Sequence, residues 1–182
     1  MEPKFVAIPA AVIIAVIALG SMSLLPQNDP NIAQRESQAE AEIHKLVNIQ
    51  RVEHGVEPLI YDRDLGKIAK AHSQDMAKQG YFDHSTPNGI KTEDRGRNAG
   101  YDCRESTSDD EMSYAVIKET IFIKESESSL VSESPKEFAQ ETVEWWMNSP
   151  EYNTVILDKS LSVDGIGVAL NQNKILVTQN FC

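Results

Sequence analysis

His72-Ser73-Gln74-Asp75-Met76, followed by Tyr81-Phe82-Asp83-His84-Ser85-Thr86-Pro87-Asn88-Gly89, decides the reading of this chain. The first five residues close an amphipathic helix whose apolar positions, Leu65, Ile68, Ala69, His72 and Met76, follow helical spacing. Asp62 or Asp64 is placed to cap its start, and Gly80 stops it. The loop beyond brings an imidazole, an aromatic pair and a tight turn within a few residues.

Upstream, a first helix is predicted from about Gln38 to Glu53, with Ile43, Leu46, Val47 and Val52 as its apolar stripe and Gly55 free to take a left-handed cap. Pro58-Leu59-Ile60-Tyr61 reads as a short extended piece. Downstream, Ser134-Pro135-Lys136-Glu137 has the form of a capping box with proline at the first helical position. On that third helix Phe138, Thr142 and Trp145 share one stripe and Ala139, Val143 and Trp146 the next, and Pro150 sets the end near Asn148-Ser149. Ile121-Phe122-Ile123 is a short β-rich run. Gly165 to Leu170 and Lys174 to Phe181 flank Asn171-Gln172-Asn173, the pattern of a C-terminal hairpin. Helices early and antiparallel strands late point to an α+β protein rather than a parallel doubly wound sheet.

The 182 residues suggest one domain with an extension, and 41% hydrophobic with 25% charged residues is a globular balance. A net charge of −11 would repel a phosphate backbone, which argues against nucleic acid as a partner. Phe5 to Leu25 is an apolar run of 21 residues without a charge, long enough to cross a bilayer core. A retained transmembrane anchor is the preferred reading. The alternative is a signal peptide cleaved near Ala18-Leu19-Gly20. Lys4 before the segment and Asp29 after it place the N-terminus inside and the rest outside, so either reading delivers the domain beyond the membrane. Residues 26–37 read as a linker and 38–182 as the domain. In an oxidising compartment Cys103 and Cys182, 79 residues apart (182 minus 103), are expected to pair; two free thiols are the alternative.

Four blocks in order carry a family resemblance: Asn48-Ile49-Gln50-Arg51 through Pro58-Leu59; the His72 helix; Tyr81-Phe82-Asp83-His84; and Trp146-Met147-Asn148-Ser149-Pro150. Together with Gly165-Ile166-Gly167-Val168 and Val177-Thr178-Gln179-Asn180-Phe181, they resemble the CAP superfamily. That group holds the cysteine-rich secretory proteins, antigen 5 and plant pathogenesis-related proteins, and its domain is also called the SCP domain. The resemblance implies an α-β-α sandwich with a three- to four-stranded antiparallel sheet between helical layers. It also implies a cleft in which two histidines and two acidic residues can hold a divalent ion such as zinc. His84 matches the first histidine. Glu119 matches the acid of a Glu-Asn-Ile motif, with Thr120 in place of asparagine. Tyr152 stands where the second histidine falls, and Ser149 where the second acid falls.

His84, Glu119, Ser149 and Tyr152 are therefore the candidate cleft residues, with His84 and Glu119 the candidates for catalysis and His84 for metal. The bland reading of the His84–Glu119 pair is a structural hydrogen bond that ties the loop to the sheet. His72 reads as a satisfied core histidine, His44 and His54 as surface residues without partners, and one of Trp145 and Trp146 as core. The acidic serine-rich runs Glu105 to Glu111 and Glu125 to Glu133 lack the ligand spacing and glycine of a calcium loop. Nucleophilic catalysis has little support, because adjacent loop residues such as His84 and Ser85 seldom align as base and nucleophile, and no phosphate-binding glycine loop is found. The expected function is a membrane-anchored extracytoplasmic module that binds a lipid, an envelope polymer or a protein. A metal-dependent hydrolase using His84 and Glu119, and a purely structural surface protein, are the alternatives.

Overall fold

The computed structural model describes residues 30–106, 112–114, 116–125, 133–171 and 173–182. The apolar segment 5–25 lies outside them, as does most of both acidic serine-rich runs. No helix among the described residues is long and apolar enough to cross a membrane.

Among the described residues five helices and six strands form an α+β fold. They run α1 (Pro30–Glu53), β1 (Ile60–Tyr61), α2 (Arg63–Gln79), α3 (Thr92–Asn98), β2 (Arg104–Ser106), β3 (Met112–Tyr114), β4 (Lys118–Glu125), α4 (Pro135–Asn148), α5 (Pro150–Ile156), β5 (Val163–Asn171) and β6 (Lys174–Phe181). The main sheet has the order β1-β5-β6-β4, and β2 with β3 forms a separate antiparallel pair. The C-terminal hairpin is present, closing with Asn171 opposite Lys174. The sheet is not wholly antiparallel as expected: β1 pairs in parallel with β5, Ile60 opposite Val163. A strand that reaches the sheet edge from a preceding helix has no hairpin to constrain its direction, which is why the reading of later strands missed it.

α2 covers one face of the sheet. Its start is fixed by Asp62, whose carboxylate accepts from the Asp64 and Leu65 amides, and its end by Gly80 at φ 74°. The contact is backbone to backbone: a Cβ on Gly165 would lie 2.1 Å from the Gly66 nitrogen, and one on Gly167 2.1 Å from the Lys70 nitrogen. The other side carries the core, where Ile43, Val47, Phe138, Trp146, Ile166, Val168 and Val177 pack together. Trp146 is the buried tryptophan, its indole N–H donating to the Ile121 carbonyl at 2.9 Å. Trp145 stays half exposed against Phe122 and Tyr152.

Three expectations are corrected. α1 begins at Pro30, so residues 30–37 are helix and not linker. Ser134 precedes α4 with Pro135 at the first position, but its side chain makes no capping bond. His44 is not a lone surface residue: its Nδ1 meets the fully buried Asp164 at 2.8 Å, and its Nε2 meets Asn48 Nδ2 at 3.2 Å. The buried carboxylate also accepts from Gln179 Nε2 at 2.7 Å. Cys103 and Cys182 are joined as a disulfide.

Candidate functional site

Of the two carboxylates on β4, Glu125 is exposed and Glu119 faces inward. Glu119 is buried, its side chain 2% exposed, and a buried charge requires partners. The loop after α2 and helix α3 supply them. His84 arrives on the turn after Gly80, where Asp83 Oδ1 accepts the Ser85 amide at 2.7 Å and Gly89 takes φ 80°. Its Nδ1 meets Glu119 Oε1 at 2.8 Å. Thr92, at the start of α3, donates its hydroxyl to the same oxygen at 3.2 Å. Arg95, one turn on, pairs with Glu119 Oε2 and also donates to the Thr92 hydroxyl at 3.0 Å and to the His84 carbonyl at 2.8 Å. One guanidinium thus fixes both the carboxylate and the histidine loop.

Tyr152 comes from α5, which starts after the Ser149-Pro150 break in the helical run. Its hydroxyl lies 3.3 Å from His84 Nε2, with the rings edge to face at 6.0 Å. Ser149 sits half-buried at the α4–α5 junction, with no capping bond from its side chain. His84, Glu119 and Tyr152 are therefore brought into one line, while Ser149 stands three residues ahead of Tyr152 at the end of α4. His72 is buried beside them, with Nε2 donating to the Asp83 carbonyl at 3.0 Å and lying 3.9 Å from Glu119 Oε1. Burial holds the His72 pKa below its ordinary value, so it stays neutral as a core histidine should.

The hydrogen bond to Glu119 raises the His84 pKa above its ordinary value, against the opposing pull of burial. In its protonated form the ring donates from both nitrogens, to Glu119 and to the Tyr152 oxygen, and has no lone pair for a metal or for a substrate proton. Burial first, then Glu151 and Glu119, push the Tyr152 phenol up to about 12, so it is a neutral hydroxyl and not a phenolate ligand. Both Glu119 oxygens are engaged, one of them by a cation. This donor set does not fit a zinc ion, which needs deprotonated ligands around an open position. Among the described residues no group of three or more His, Cys, Asp or Glu is placed to hold a metal ion.

Arg95 and Thr92 were not foreseen. The signal was available as chemistry rather than motif: a carboxylate inside Lys118-Glu119-Thr120-Ile121-Phe122 must find a counter-charge once that run is a buried strand.

Residues 44–181 match the CAP family, described as the cysteine-rich secretory protein family, and the chain belongs to it. Uncharacterized protein YkwD of Bacillus subtilis (strain 168) is 29% identical over 128 residues, spanning 70% of this chain and 41% of that protein. Uncharacterized membrane protein YlbC of the same organism is 25% identical over 146 residues, spanning 80% of this chain and 35% of that protein. An extracellular protein containing an SCP domain from Bacillus anthracis str. Ames shares the fold, with TM-score 0.64 and 24% identity over 84% of this chain and 43% of that one. The chain therefore spans less than half the length of each of these relatives.

Proposed function

We propose that this CAP-domain protein works outside the cell membrane, anchored by residues 5–25, and that the cleft around His84 and Tyr152 binds a lipid, envelope polymer or protein ligand. The apolar segment is long enough to span a bilayer, and the similar proteins include one named as extracellular and one named as a membrane protein. The observation that carries the binding role is the position of the Tyr152 hydroxyl, 3.3 Å from His84 Nε2. Where a second imidazole would open a metal site, a phenol closes the polar chain, and Arg95 neutralises the carboxylate behind it. A closed chain of this kind shapes and positions a ligand.

Zinc titration of the full chain beside its His84→Ala variant tests this reading. The expected outcome is the same weak, non-stoichiometric uptake in both proteins. Stoichiometric zinc lost in His84→Ala, together with hydrolysis of a casein substrate that disappears in the same variant, would overturn it in favour of a metal-dependent hydrolase.

A further inference from the structure

The four-stranded sheet has two edges, and the chain treats them differently. Val163 and Cys182 exchange two backbone bonds, of 2.9 and 3.0 Å, so every second pair along β5 and β6 from that point bonds directly. Carried across β6, the alternation sets Lys118, Thr120, Phe122 and Lys124 of β4 to bond with β6. It turns the N–H and C=O of Glu119, Ile121, Ile123 and Glu125 outward. On the β5 edge each outward-facing residue from 164 to 170 has a bonded backbone group. Asp62 serves Asp164, Tyr61 serves Ile166, Glu40 and Lys70 serve Val168, and Glu36 serves Leu170.

The β4 edge is closed only over its first half. Glu119 is buried, and Ile121 gives its carbonyl to the Trp146 indole at 2.9 Å and turns its amide to the Tyr152 hydroxyl. Ile123 and Glu125 have no partner for either outward backbone group among the described residues. Both reach the surface, Ile123 half-buried and Glu125 exposed. Lys124, the type of residue that guards an edge, is drawn back by Glu133 and, on α4, by Glu141. Beside this stretch stands Trp145, 46% exposed, held edge to face on Phe122 at 5.5 Å and tilted against Tyr152 at 5.6 Å.

We propose that the open end of β4 takes up an extended polypeptide as an added strand, with one of its side chains seated on Trp145. Outward N–H and C=O groups recur along an edge every two residues, about 6.6–6.8 Å apart, and another extended backbone matches that repeat of donors and acceptors. A lipid tail offers neither donor nor acceptor, and sugar hydroxyls do not follow that repeat. Trp145 supplies the anchor: its ring is already fixed by two aromatic neighbours, so covering it costs little entropy. Through Tyr152 this edge adjoins His84. The proposal therefore rests on the binding role given above to the cleft, and names its ligand as a protein.

Amide NMR of the isotope-labelled, detergent-solubilised full chain, titrated with a defined peptide, tests the inference. The probe is end-blocked, with valine-threonine repeats between two lysines, a composition that favours strands. The expected result is saturable movement of the Ile123 and Glu125 amide signals and of the Trp145 indole signal. The fully N-methylated peptide, which has no backbone donor, is expected to move none of them. Trp145→Ala is expected to weaken binding about tenfold or more. Ile123→Pro removes an outward N–H and no bond to β6, and is expected to weaken binding to the same degree, with melting curves showing that each variant folds. The proposal is overturned if these signals stay still up to millimolar peptide, if the N-methylated peptide moves them equally, or if folded Trp145→Ala binds as tightly. An N-acetylglucosamine tetramer that moves the Trp145 indole where the peptide does not would overturn the polypeptide ligand and leave the cleft's binding role standing. Stoichiometric zinc with casein hydrolysis would defeat that role, and this proposal with it.

Discussion

His84 and His72 approach the same oxygen of Glu119, at 2.8 and 3.9 Å, yet their titrations are pushed in opposite directions. His84 gains a partner, so its folded pKa is raised above the ordinary 6.5. The stability it contributes is fully present below the unfolded value and is lost as pH rises through the folded value. His72 is neutral and buried, its folded pKa lowered from 6.5. Its contribution is present above the unfolded value and is lost as pH falls through the lower folded value. An NMR titration of the imidazole protons is expected to show His84 titrating above 6.5, and to show that midpoint fall in Glu119→Gln, which keeps the shape but removes the charge. An unmoved midpoint would mean that Glu119 is not what holds the proton. His84, Glu119 and Tyr152 were legible because each sits in a local motif. Arg95 and Thr92 were not, because their role exists only once α3 is folded against β4, and neither carries a sequence signature of its own.

At the scale of elements, the sheet edge explains why α1 is longer than its apolar stripe predicts. β1 is two residues long, so most of β5 would present an open edge. α1 and α2 close it with side chains: Glu40 accepts the Val168 amide at 2.9 Å, Glu36 accepts the Leu170 amide at 2.8 Å, and Lys70 donates to the Val168 carbonyl while pairing with both glutamates. Glu36 lies in the stretch that reads as linker, because a polar helix turn that covers a strand edge has no hydrophobic period to reveal it. Glu36→Ala with Glu40→Ala is expected to cost about 2–5 kcal/mol in urea unfolding, two part-buried amides losing their acceptors and Lys70 its counter-charges. A loss below about 0.5 kcal/mol would show that water replaces the carboxylates freely. The opposite face of β5 is governed by shape. Gly167→Ala would set a methyl 2.2 Å from the Lys70 Cα, against backbone that cannot swing away. It is expected to destabilise by about 3 kcal/mol or more, visible as a lower melting temperature. The pattern Gly165-Ile166-Gly167-Val168 marked a strand in the sequence; that its glycines admit a helix backbone became visible only in the packing.

At the scale of the whole molecule, one covalent bond ties the two ends of the described domain's second half together. Cys182 follows β6, where its carbonyl accepts the Ser162 and Val163 amides at 2.8 and 2.9 Å. Cys103 lies just after α3, buried with Leu65 and Ile117 in a small cluster apart from the main core. The bond closes a loop with a sequence separation of 79. It therefore fastens α3, and with it Arg95 and its grip on Glu119, to the C-terminal strand. Restricting the unfolded chain over such a loop contributes about 4 kcal/mol at most. For a domain of this size each kcal/mol moves the melting temperature by roughly 2–4 °C, so reduction, or Cys103→Ala with Cys182→Ala, is expected to lower it by up to about 8–16 °C. The small Cys103 cluster has little apolar surface to hold α3 without the bond, so hydrogen exchange in residues 92–101 is expected to rise more than in α2. Two results would contradict this argument: a melting temperature unchanged by reduction, and protection lost evenly across the sheet. Such a bond persists only where thiols are oxidised, so a protein that depends on it to hold Arg95 against Glu119 would work outside a reducing cytoplasm.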